Sequence, residues 1–182
     1  MKPNLAIQEL FYNHPTKQWH FEELMKTAQL SRAQTNEWLK KLMHENMIKR
    51  IKSHKKMPYY IAHYTNPHYQ NSKRLYALGQ LHTCGLFDYL SSLDKARVII
   101  LFGSFSRWDW YEKSDVDIFV YGDIDVVPVG KFMVRLKREI QLFSGKNKKD
   151  LQRIGPVLLK NIINGIIIKG ALPREVITHA AV

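Results

Sequence analysis

Two aspartates one residue apart, near the start of an apolar strand, constrain this chain more than any other feature. They lie in Val98–Tyr121, VIILFGSFSRWDWYEKSDVDIFVY. Val98–Phe102 reads as a buried strand, Gly103-Ser104 as a turn, and the residues around Asp115 as the start of a second strand. Side chains alternate faces along a strand, so Asp115 and Asp117 share one face, about 7 Å apart at the backbone. Val116, Ile118 and Val120 then point into an apolar layer. Like charges on one face repel each other. A cation is the usual remedy.

Charge supports the same line of thought. The 182 residues carry 28 Lys and Arg against 16 acids, a formal +12. The first 70 residues hold 11 basic and 5 acidic side chains, the rest 17 and 11, so each part is +6 and the smaller one is denser. Such a field favours nucleic acid or nucleotides. No apolar run is long enough for a membrane span. The N-terminus lacks the order of a signal peptide, and the single Cys84 leaves no internal disulfide or cysteine-based zinc site. A cytoplasmic setting is expected.

In chain order, Asn4–Asn13 and Phe21–Gln29 show helical apolar stripes. Ser31-Arg-Ala-Gln34 forms a capping box that opens a third helix running to about Asn46. Ile48–Lys52 and Pro58–Tyr64 read as short strands joined by the basic turn Ser53–Met57. This order resembles the winged helix-turn-helix family over roughly residues 1–65, with Leu30–Leu42 similar to the turn and recognition helix. The resemblance implies contact with duplex DNA through Arg32, Gln34, Asn36 and Lys40, with Lys55 and Lys56 of the wing on phosphates. A homodimer on paired half-sites follows from the same likeness. Trp38 has no evident role in this scheme.

The divisions expected are residues 1–66 for the winged helix, 67–94 for a connecting helix, 95–172 for a second domain and 173–182 for a tail. In the second domain, helices are predicted near Val129–Lys137, Lys148–Ile154 and Pro156–Asn164. Strands are predicted at Glu139–Phe143 and Gly165–Gly170. The fold class is α+β, a winged helix followed by a small mixed α/β domain.

Gly103-Ser104, with Asp115 of Ser114-Asp-Val-Asp117 twelve positions after the glycine, resembles the polymerase-beta type of nucleotidyltransferase, particularly its minimal members. The physical roles are direct. Gly103 lets a triphosphate approach the backbone, and Ser104 donates to a phosphate oxygen. Asp115 and Asp117 are hard oxygen ligands for Mg²⁺ or Mn²⁺. The resemblance implies that a hydroxyl attacks the α-phosphate of a nucleoside triphosphate, ATP foremost, with pyrophosphate leaving. It also implies a third carboxylate on the next strand, read here as Glu139; Gln141 shares its face, and the strand register decides between them. Arg107 is a candidate phosphate ligand. Trp108 stands where many minimal members have glycine, and with Trp110 it packs the pocket wall, stacks on a base or obstructs the site.

Minimal members often act as antitoxins that adenylylate a partner, commonly a HEPN-type ribonuclease toxin. The expected function is therefore a metal-dependent nucleotidyltransferase fused to a DNA-binding module. The rival is a transcriptional regulator whose second domain binds nucleotide or dimerises without catalysis.

Overall fold

The computed structural model describes residues 3–54, 56–123 and 127–172. The chain divides into two compact units, Met1–Lys73 with Trp110–Glu112, and Arg74–Asp109 with Lys113–Val182. The predicted tail 173–182 lies outside the described residues.

The first unit contains α1 (Pro3–Asn13), α2 (Phe21–Ala28), α3 (Arg32–His44), β1 (Ile48–Ile51), β2 (Tyr59–Ala62) and the beginning of α4 (Pro67–Thr83). Ile7, Phe11, Leu24, Leu39 and Leu42 are buried, which is the stripe that the helical spacing of apolar residues predicts. Gln29 adopts a left-handed conformation (φ 53°) and closes α2. The capping box forms as expected. Ser31 Oγ accepts from the Gln34 amide at 3.3 Å, and Gln34 Oε1 accepts from the Ser31 amide at 3.0 Å. β1 and β2 pair antiparallel with Ile48 opposite Ala62. Trp19 adds an isolated bridge to Tyr60, its amide donating to the Tyr60 carbonyl at 2.9 Å.

Trp110 completes this core. It is fully buried, its ring lies 6.2 Å from that of Tyr12, and the buried Lys73 ammonium sits 4.4 Å from its centroid. Lys73 Nζ also donates to the Trp110 carbonyl. A lysine is tolerated in this position because its charge meets an aromatic face and a carbonyl.

The second unit is built on β3 (Ala96–Phe102), α6 (Gly103–Ser106), β4 (Val116–Gly122), α7 (Gly130–Leu136), β5 (Ile140–Gly145), α8 (Lys148–Arg153), α9 (Pro156–Ile163) and β6 (Ile166–Lys169). The sheet order is β5-β4-β3-β6. β3 is antiparallel to both β4 and β6, while β4 and β5 run parallel across the α7 connection. β3 lies inside the sheet, and Val98–Phe102 is buried at every residue. That accounts for an apolar run with no polar alternation. Val98, Ile100, Phe102, Phe119 and Tyr121 pack on Leu151, Leu159 and Ile162 from α8 and α9. The connecting helix expected over residues 67–94 is interrupted. α4 stops at Thr83, Gly85 takes a left-handed conformation (φ 80°), and α5 restarts at Leu86–Ser91.

Candidate active site

The site is assembled where β3 hands over to α6, beside the start of β4. Asp117 pairs with Phe102 in the β3–β4 register, so its carboxylate lies next to Gly103. Gly103 has φ +72°, and a Cβ there would stand 2.0 Å from Asp117 Oδ2. No L side chain fits at this position. The Asp117 carboxylate packs directly against the Gly103 backbone, in the place a side chain would take.

Burial pushes the Asp117 carboxyl above its usual range; the neighbouring Asp115 adds to the shift, and Arg107 opposes it. An acid whose folded-state affinity for protons is raised favours the fold when protonated. That contribution is lost as pH rises through the carboxylate range. At neutral pH the two charges are an electrostatic burden that a cation relieves.

The next strand decides the third ligand. In the parallel β4–β5 register Gln141 stands beside Asp117, and Gln141 Nε2 donates to Asp115 Oδ2 at 2.6 Å. Glu139 lies just ahead of β5, exposed, with its carbonyl accepting from the Val116 amide at 2.9 Å. Two residues of strand separate it from the Gln141 position, about 6.6 Å. Among the described residues no three His, Cys, Asp or Glu side chains come together to hold a metal. The expected triad Asp115–Asp117–Glu139 is therefore not assembled, because Glu139 falls short of the register position that faces Asp117. Asp115 and Asp117 are two hard oxygen donors of a kind that fits one divalent cation, other oxygens completing its shell.

Ser104 is half-buried at the start of α6, and Ser106 Oγ donates to the Gly103 carbonyl at 2.8 Å, stiffening the turn. Arg107 is exposed and forks onto Asp109, with Nε at 3.1 Å and Nη2 at 2.9 Å. That hydrogen bonding raises its already high proton affinity, and the Asp109 and Asp117 charges add to it. Trp108 is half-buried, while Trp110 packs on Tyr12 and Lys73 as described. A contributor missed from sequence is Arg138, whose Nη1 donates to the Ser114 carbonyl at 3.1 Å and whose guanidinium lies 5.0 Å from the Phe105 ring. It pins the turn into Asp115. A basic residue two positions ahead of β5 was its only signal.

The family profile described as Polymerase beta, Nucleotidyltransferase matches residues 86–172. Residues 86–172 are a nucleotidyltransferase domain of the polymerase beta type.

A protein of Methanocaldococcus jannaschii named "Putative protein adenylyltransferase" is 52% identical over 31 residues, which is 17% of this chain and 31% of that protein. The chain thus matches under a third of that relative's length. Among solved structures, a toxin–antitoxin crystal structure with AMP-PNP gives a TM-score of 0.37 at 19% identity, covering 57% of this chain and 80% of that one. A mutant of the toxin–antitoxin MntA-HpeT gives 0.36 at 17%, covering 59% and 81%. Among the described residues no helix is long and apolar enough to cross a membrane.

Outside the nucleotidyltransferase domain, the residues expected to meet DNA fall mainly on α3. Arg32, Gln34, Asn36 and Lys40 are all exposed there. Phe21, Arg32, Ala33 and Asn36 line an open groove of about 540 Å³. Arg32 is not idle: it pairs with Glu22, and its guanidinium lies 5.3 Å from the Phe21 ring. Gln34 spends its carbonyl on the capping box, which leaves its amide for other contacts. Lys56 is exposed between β1 and β2, and Lys55 lies outside the described residues. Lys49 and Arg50, exposed on β1, extend the basic surface and were not singled out from sequence. Trp38 is half-buried under Lys41, whose ammonium stands 5.0 Å from its ring.

Proposed function

We propose that the chain is a metal-dependent nucleotidyltransferase that moves AMP from ATP to a hydroxyl group of a partner protein, joined to a winged helix-turn-helix that binds duplex DNA. The observation that carries the transferase reading is the close approach of the Asp117 carboxylate to the side-chain-free Gly103, with Asp115 just ahead of β4 held by the same Gln141 that stands beside Asp117. The acceptor hydroxyl attacks the α-phosphorus, the bond to the bridging oxygen breaks, and pyrophosphate leaves. Asp115 and Asp117 hold the divalent ion, Ser104 donates to a phosphate oxygen, and Arg107 turns from Asp109 to the triphosphate. A bound divalent ion would supply charge neutralisation at the reacting phosphate. Adenylyl transfer to protein is favoured by the name of the archaeal relative. A HEPN-type toxin is the first acceptor to try, given the likeness to minimal nucleotidyltransferases.

Incubation with α-labelled ATP and Mg²⁺ or Mn²⁺, with and without a HEPN-type partner protein, tests this. Label is expected on the partner. Nucleotide binding without any transfer would favour the second reading, a DNA-binding regulator with a non-catalytic nucleotide site, for which Gln141 at the ligand position speaks.

Three helices, an antiparallel hairpin and an exposed basic face on α3 and β1 support DNA binding. Duplex affinity is expected to fall steeply between low and moderate salt, as phosphate contacts release counterions. Arg32→Ala is expected to weaken it about tenfold. Affinity that ignores both salt and Arg32 would remove the DNA-binding reading.

A further inference from the structure

We infer that Gln141 sets this centre to one resident divalent cation per chain, where a third carboxylate would admit two. The inference rests on the metal-dependent reading above. Three observations carry it. First, the β4–β5 register makes Gln141 the residue of β5 directly beside Asp117. Second, its amide is committed. Asp115 offers only acceptor oxygens, so the group 2.6 Å from Asp115 Oδ2 must be the NH₂ of Gln141. Third, no further acid takes up the role. Among the described residues no third His, Cys, Asp or Glu joins Asp115 and Asp117.

The electrostatics agree. Two carboxylates match the charge of one dication, and Arg107 already offsets part of the Asp117 field. A neutral amide adds nothing to hold a second dication beside the first. It does something else instead: in the absence of metal it gives Asp115 a donor, easing the repulsion between the two aspartates. Gln141 thereby keeps the strand pair in order without a cation, and limits what binds when one arrives.

The test is Mn²⁺ titrated into the full chain at saturating non-hydrolysable ATP, followed by equilibrium dialysis and electron paramagnetic resonance. The wild type is expected to hold one Mn²⁺ with the spectrum of an isolated ion. Gln141→Asp and Gln141→Glu are expected to hold two, with the broadening of a spin-coupled pair about 3.5–4 Å apart. Two ions on the wild type, or a count fixed at one in both variants despite folded protein, would overturn the inference. Should both variants fail to fold, the wild-type count and spectrum still decide it. No Mn²⁺ on the wild type at all would remove the metal-dependent reading itself, whereas two ions would remove only this inference.

Discussion

Asp117→Asn is expected to lower nucleotide transfer by more than about 100-fold while leaving the nucleotidyltransferase domain at least as stable as before. Substitutions in the surroundings of metal ligands typically cost about 10–100-fold, and the ligand itself costs more. The stability half follows from geometry. Asp117 is charged beside Asp115 in a half-buried position, and burial is the main reason its carboxyl is hard to ionise. Asparagine keeps the shape, removes the desolvated charge and ends the repulsion. The gain should be largest near neutral pH and shrink as pH falls through the carboxylate range, where the wild type protonates Asp117 for itself. Melting curves at several pH values in the absence of divalent ions, paired with the labelled-ATP assay, read both halves. Activity within tenfold of wild type would remove Asp117 from the catalytic centre. A large drop in melting temperature would show its role to be structural.

Trp110→Ala is expected to destabilise the first unit by about 3–5 kcal/mol, the usual cost of deleting a buried aromatic side chain. Trp110 is fully buried against Tyr12, and its ring covers the Lys73 ammonium at 4.4 Å. Alanine would leave a cavity and strip the aromatic face from a buried cation. Trp110→Phe should recover much of the loss by restoring a ring. Denaturant unfolding of the three proteins measures it. A loss below about 1 kcal/mol for alanine would mean that the core closes over the gap.

Much of the β3–β4 strand pair was legible in the sequence because its signals are local. Alternation placed Asp115 and Asp117 on one face, and an unbroken apolar run marked β3 as internal. The capping box at Ser31 was equally local, and it formed. What escaped was decided by partners distant in the chain. Glu139 and Gln141 have the same alternation, and only the pairing of β5 with β4 separates them. Gly79 and Gly85 both fall within the connecting helix expected over residues 67–94. Gly79 stays inside α4, while Gly85 turns left-handed and ends the continuity. Trp108 and Trp110 read as a pair, yet Trp110 is claimed by Tyr12 and Lys73, which lie nearly a hundred and nearly forty residues before it.

The assignment of Trp110–Glu112 to the first unit changes how this protein can be dissected. The backbone passes from one unit to the other after Lys73, after Asp109 and after Glu112, three covalent crossings in place of one linker. No single cut yields two self-sufficient fragments. A fragment starting at Arg74 would keep Gly103, Asp115, Asp117 and Gln141, but would carry Trp110 without Tyr12 or Lys73. A free-standing version of the nucleotidyltransferase domain therefore calls for redesign of residues 110–112 as a polar surface turn, and the first unit in isolation calls for a surrogate to fill the place of that indole.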